Sequence, residues 1–159
     1  MRSLAGADIG ELLGHLHVAT QDNMIKRKTD RGLDWMLEEG TQFLSHVNAE
    51  QKALLQRALE EITQQKEKIL ALPRANIHAD LFRDNAMFEQ GELSGFFDFY
   101  FAGVDTFLFD IAVCLNDWCV LHDEDHDGSL DTPRSLALLA AYQAVRPLTA
   151  AERSLLPAL

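Results

Sequence analysis

One aspartate, Asp80, lies two residues after His78 and five before Asn85, and a further aspartate, Asp98, follows thirteen residues beyond that asparagine. Short apolar segments frame the set. Ala75-Asn76-Ile77 leads in, Ala86-Met87-Phe88 leads out, Gly91 supplies a turn, and Leu93-Ser94-Gly95-Phe96-Phe97-Asp98 returns. Apolar runs this short, bounded by turn residues, read as strands, and the last two read as a hairpin. The spacing predicts a loop from Asp80 to Asn85 strung between strands, with Asp98 where the return strand ends. Three polar side chains then gather near one rim of a small sheet. Turn chemistry alone would accept Asp80 and Asp84 in a loop and Asp98 at a strand end, but it leaves the joint spacing unexplained.

That spacing suits magnesium-assisted phosphoryl transfer. In the pattern H-R-D-L-x-x-x-N, the aspartate handles the acceptor hydroxyl, while the asparagine and a later aspartate hold the metal. Here the His, the Asp, the following Leu and the Asn fall in register, and only Ala79 replaces the Arg. Asp80 is the candidate catalytic residue, with His78 beside it, and Asn85 and Asp98 are the candidate metal and cofactor ligands.

The 159 residues suffice for one domain with a core. A net charge of −11 argues against nucleic acid or an acidic membrane surface as partner, since both demand clustered Lys and Arg. It does not argue against ATP, whose phosphates arrive with a cation. Cys114 and Cys119 lie in one apolar run, spaced for neither a metal pair nor a redox motif, and read as buried thiols in a reducing cytosol. No signal peptide opens the sequence, and the run from Ile111 to Leu115 is far short of a membrane span. The expected location is cytoplasmic.

Outside the hairpin the pattern is helical. Asp8 and Glu11 read as an N-cap with its box partner, followed by Ile9, Leu12, Leu13 and Leu16 at helical spacing. A polar stretch from Gln21 to Leu33 reads as a loop. Trp35 to about Val47 suggests a second helix. Asn48 with Gln51 starts a third, with Leu55, Leu59, Ile62 and Ile69 as its inner stripe and Pro73 beyond its end. Asp105-Thr106 caps a fourth, running to about Leu121 and apolar nearly all round, hence central. Pro133 opens a fifth through about Val145, and Thr149 with Glu152 begins another.

Two acids lie inside the apolar fourth helix. Asp110 and Asp117 are about two turns apart on one face, and a buried carboxylate costs several kcal/mol unless partnered. Asp110 is expected to accept hydrogen bonds from the catalytic-loop backbone or His78 and so stiffen the site; an acid near the helix dipole is the plainer account. Asp117 and Trp118, with Arg83 from the loop, are candidates for a substrate pocket in which Asp117 faces an ammonium group. His15 and His17 read as structural, and His46 as solvated. His122 and His126 lack the paired spacing of a zinc site. Asp123-x-Asp125-x-Asp127-Gly128-x-Leu130-Asp131 matches the first nine positions of an EF-hand loop, but Arg134 stands where the bidentate Glu belongs. A calcium-binding helix-loop-helix module is thus an alternative from another class.

The strings Ile77-His-Ala-Asp-Leu-Phe-Arg-Asp-Asn85, Gly95-Phe-Phe-Asp-Phe-Tyr-Phe-Ala102 and Asp110-Ile-Ala112 resemble the aminoglycoside/choline kinase-like superfamily. Within it, the fuller strings resemble the bacterial family that phosphorylates homoserine, over nearly the whole chain. The resemblance implies an α+β fold: the mainly helical C-terminal lobe of a protein-kinase-like fold, with a small β-hairpin carrying the catalytic loop. It implies ATP-dependent phosphorylation of the L-homoserine hydroxyl in threonine biosynthesis, with ATP and Mg as cofactors and a small molecule as partner. Asp80 would be the base, Asn85 and Asp98 the Mg ligands, and Asp110 the brace. Another small amino alcohol or amine, such as choline or an aminoglycoside, is the alternative acceptor. The family also has an N-terminal lobe with a phosphate-covering loop and a strand lysine, and neither is found in this sequence. Residues 1–159 therefore read as a partial C-terminal lobe, expected to bind ATP weakly if at all and to phosphorylate nothing alone. It could serve only as an interaction partner, or self-associate as a homo-oligomer through apolar faces around Leu155, Leu156 and Leu159.

Overall fold

The computed structural model describes residues 5–22, 24–121 and 128–159. Among the described residues, six helices surround two small antiparallel sheets. The order is α1 (Ala5–Thr20), α2 (Leu33–Phe43), α3 (Ala49–Leu70), β1 (Arg74–Ile77), β2 (Ala86–Glu89), β3 (Glu92–Phe96), β4 (Gly103–Thr106), α4 (Phe107–Trp118), α5 (Thr132–Val145) and α6 (Ala150–Leu155). The expected α+β, mainly helical architecture is what forms.

The helix caps follow the sequence chemistry. Asn48 and Gln51 make a reciprocal capping box at the start of α3, and Thr149 and Glu152 make another at α6. Asp131 caps α5 through the Arg134 amide, two residues before Pro133. Two expectations need correction. α1 begins at Ala5, so Asp8 sits in its first turn rather than at its cap, where it still complements the helix dipole. Thr106 occupies the N-cap position of α4, but its side chain makes no capping bond. Asp105 instead accepts a bond from the Thr106 amide and lies buried.

α4 is the hub, as its all-round apolar sequence requires. Leu108, Ile111, Cys114, Leu115 and Trp118 meet Ile9 and Leu13 of α1, Ile62 and Ile69 of α3, and Leu138 and Tyr142 of α5 in one core. Both cysteines are free and buried within it, and burial pushes the Cys114 thiol well above its ordinary range. The inner stripe of α3 is shallower at its start than expected, with Leu55 and Leu59 only half buried. No helix among the described residues is long and apolar enough to cross a membrane.

α1 and α5 approach closely because glycine recurs every fourth residue along α1. Gly6 faces the Arg134 carbonyl, Gly10 the Leu138 backbone, and Gly14 the Tyr142 carbonyl and the Val145 side chain. A methyl on Gly10 would overlap the Leu138 carbonyl.

The strands form two separate pairs, not one rim. β1 pairs antiparallel with β4, Ala75 opposite Asp105 and Ile77 opposite Gly103. β2 and β3 form the expected hairpin, with Gln90 and Gly91 both at positive φ, as a tight primed turn requires. β3 stops at Phe96 rather than Asp98: the Phe97 amide still reaches the Asn85 carbonyl, 3.0 Å away, but Asp98 turns into the left-handed region. The β1–β4 pair carries the loop in, and the hairpin carries it out.

Candidate active site

Asp80 to Asn85 form a tight loop that ends in a 3₁₀ turn over Arg83–Asn85. Four hydrogen bonds tie it and its approach to α4. Ala79 adopts a left-handed backbone with φ of 65°, which L side chains disfavour. It is kept there because the His78 and Ala79 amides both donate to the buried Asp110 carboxylate, at 2.9 and 2.8 Å. The Leu81 carbonyl accepts from the Trp118 indole at 2.9 Å, and the Arg83 amide donates to Asp117 at 2.7 Å.

Asp80 and Asn85 are bonded to each other. The Asn85 side-chain amide donates to the Asp80 carbonyl at 2.7 Å and to Asp80 Oδ2 at 3.3 Å. That commitment leaves the Asn85 amide oxygen as the group available to a ligand. Asp98 adopts φ of 62° and begins a 3₁₀ turn, with Oδ1 accepting from the Tyr100 amide. Its neighbour Phe97 is pinned twice, the amide on the Asn85 carbonyl and the carbonyl on His78 Nε2 at 3.0 Å. His78 therefore donates through Nε2, its ring set beside Phe99, while the buried Nδ1 has no partner among the described residues. The sequence placed His78, Asp80, Asn85 and Asp98 in one constellation, and the fold ties their backbones together through Phe97.

Asp110 is fully buried, and a third bond reaches it from His17 Nε2 at 3.0 Å. Burial pushes its carboxyl up, but the bonds from His17, His78 and Ala79 outweigh that and hold it below the ordinary range. Burial likewise depresses His17, against the pull of Asp110. The pair is thus an anionic carboxylate bonded to a neutral imidazole. Nδ1 of His17 accepts from the Tyr142 hydroxyl at 2.8 Å, and Arg146 donates to the same hydroxyl at 3.0 Å. Arg146 also pairs with the buried Glu152 at 2.8 Å. The role of His17 escaped the sequence, where a lone histidine on a helix carries no sign of its partner.

The candidate substrate residues lie at the seam between the loop and α4. Trp118 is buried in the core with its indole N–H spent on Leu81. Asp117 faces Arg83, which supplies both its amide and its guanidinium, the latter at 3.8 Å. All three residues tie the loop to α4. Another residue was missed. Arg31, in the loop after α1, brings its guanidinium 3.3 Å from Asp80 Oδ1. The acidic stretch Asp123 to Asp127, with His122 and His126, lies outside the described residues, so the calcium alternative falls there.

Among the described residues no three His, Cys, Asp or Glu side chains cluster as a self-sufficient metal cage. The donors that are present are hard oxygens, one amide and one exposed carboxylate. Magnesium is held in this way where substrate phosphates and water complete its shell, so Asn85 and Asp98 fit it.

The family model described as "Phosphotransferase enzyme family" matches residues 2–148. The chain belongs to the phosphotransferase enzyme family. Homoserine kinase of Polaromonas naphthalenivorans is 51% identical over 155 residues, covering 96% of this chain and 48% of that protein. Homoserine kinase of Pseudomonas aeruginosa strain LESB58 is 50% identical over 145 residues, 91% of this chain and 45% of its own length. That of Cupriavidus necator is 44% identical over 156 residues, 92% and 45% respectively. This phosphotransferase chain spans about half the length of the curated relatives it matches.

Proposed function

We propose that the protein containing this chain transfers the γ-phosphoryl group of ATP to the side-chain hydroxyl of L-homoserine. The observation that carries the reading is the loop in which Asp80 and Asn85 are bonded to each other while Phe97 ties Asn85 to the Asp98 turn. The homoserine kinase relatives support the acceptor. In that protein this chain forms the lobe that presents Asp80, Asn85 and Asp98.

Asp80 accepts a hydrogen bond from the substrate hydroxyl and turns its lone pair toward the γ-phosphorus. The new O–P bond forms as the bond from that phosphorus to the bridging oxygen breaks, ADP departs, and the hydroxyl proton passes to Asp80. Because phosphoryl transfer runs through a loose transition state, orientation matters more than early proton removal. Asn85 and Asp98 would hold magnesium, which when bound offsets charge on the phosphates. Asp110 keeps the loop in its unfavourable backbone conformation, and His78 fixes the approach to Asp98.

The test is ADP release by the gene's full-length product across L-homoserine, L-serine, choline and an aminoglycoside. L-Homoserine is expected to give the highest kcat/KM. A preference for choline or the aminoglycoside, or no acceptor-dependent ADP release, overturns the reading.

A further inference from the structure

Arg31 is the cation paired with Asp80 among the described residues, and its position is built rather than incidental. The loop that carries it is stitched to β4. The Val104 amide donates to the Arg27 carbonyl at 2.7 Å, and Thr29 Oγ1 donates to the Phe101 carbonyl at 2.7 Å while accepting from the Arg31 amide at 3.2 Å. The next residue, Gly32, fits so closely against Asp105 and Thr29 that a Cβ there would overlap the Asp105 carboxylate. The guanidinium lies over the Phe101 ring, 3.8 Å from its centroid, with the Trp35 ring 5.4 Å away. Two aromatic faces thus fix the plane of a group whose edge carries five N–H donors. Among the described residues only one of its nitrogens is engaged, Nη1 on Asp80 Oδ1 at 3.3 Å. The side chain is 39% exposed, so the remaining edge is open to a ligand.

The two oxygens of Asp80 face different partners. Oδ2 looks to Asn85, the side on which metal and nucleotide would sit, and Oδ1 looks to Arg31. We infer that Arg31 is the receptor for the α-carboxylate of an amino-acid acceptor, and that it selects zwitterionic hydroxy-amino acids over cationic amino alcohols. This rests on the reading of Asp80 as the residue that receives the acceptor hydroxyl. A guanidinium fork matches a carboxylate in geometry and charge. The same cation beside Asp80 repels an acceptor whose only charge is positive, so selection works through attraction and exclusion together. A phosphate oxygen of the nucleotide would suit the same chemistry, but it would have to reach the Oδ1 side.

The experiment uses the full-length product and three acceptors: L-homoserine, its carboxamide, and 3-aminopropan-1-ol, which keeps the hydroxyl and amine but lacks the carboxylate. Arg31→Gln should raise the KM for L-homoserine roughly 10- to 150-fold, as loss of a charge-assisted pair does. The kcat should fall much less. The preference for L-homoserine over the two carboxylate-free acceptors should shrink by a similar factor, and the KM for ATP should hold. Arg31→Lys should fall between, since it keeps charge and loses the fork. Equal losses on all three acceptors overturn the inference and leave the kinase reading standing. A raised KM for ATP assigns Arg31 to the phosphates and likewise overturns it. Absence of homoserine-dependent turnover in the wild type overturns both.

Discussion

At the scale of single residues, Asp80 and His17 carry different kinds of consequence. Asp80→Asn keeps the shape of the loop and removes the proton acceptor. The expected outcome in the full-length product is a kcat lowered by roughly 10²- to 10⁴-fold, with thermal stability close to wild type, measured by coupled ADP assay and melting. His17 speaks to pH. It is neutral in the fold, depressed from 6.5 by burial, with Asp110, Tyr142, Arg146 and Glu152 around it. As pH falls below about 6.5, the unfolded chain takes up a proton that the folded one refuses. Stability is then lost until the folded value is passed. Asp110 adds a lower window, being depressed from 3.8, so its contribution stands above that value and goes as pH falls through its folded one. Melting temperature should decline from neutrality toward pH ~5. His17→Gln should start lower and change less over that range; an equal slope would remove His17 from the account.

At the scale of elements, the sequence was most readable where a local rule decides. Asn48 with Gln51, Thr149 with Glu152, Pro133 in the first turn of α5, and the Gly91 turn all act within a few residues, and each forms as its chemistry requires. β4 was not readable. Gly103-Val104-Asp105-Thr106 has neither alternation nor length, and it becomes a strand only by pairing with the distant β1. Arg31 was hidden for the same reason, since its loop looks merely polar until Phe101 and Asp80 arrive from elsewhere in the chain. The glycines of α1 were a visible signal of another sort, a period of four that marks a close helix contact. Gly10→Ala should cost about 1–3 kcal/mol in urea unfolding, because the obstacle is the Leu138 backbone and cannot swing aside. A surface-like effect, within a few tenths of a kcal/mol, would mean that the helices separate freely.

At the scale of the molecule, charge and apolar surface oppose each other. The chain carries −11 with histidine neutral, yet Phe82, Phe97, Phe99 and Tyr100 are exposed around the loop and its flanking turn. Mutual repulsion keeps such surfaces apart while the charge lasts. Sedimentation of the chain should therefore show increasing association as pH approaches the isoelectric point near 4.8, and as salt screens the charge at neutral pH. Salt-independent sedimentation at neutral pH would show that charge is not what holds copies apart.

The bonds that fix Ala79 have a consequence for how the loop can be watched. In most of a protein, a backbone amide is shielded from solvent deuterium by helix or sheet, and its exchange reports the opening of that element. The amides of His78 and Ala79 are shielded by one side chain, Asp110, through a separate oxygen each. Their exchange is a clock for the loop alone, readable while every helix stays shut. Asp110→Asn leaves one accepting oxygen for two donors, so one of these two protons should exchange at least roughly tenfold faster while the other keeps its protection. Loss of both together would instead mean that the loop opens as a unit with α4.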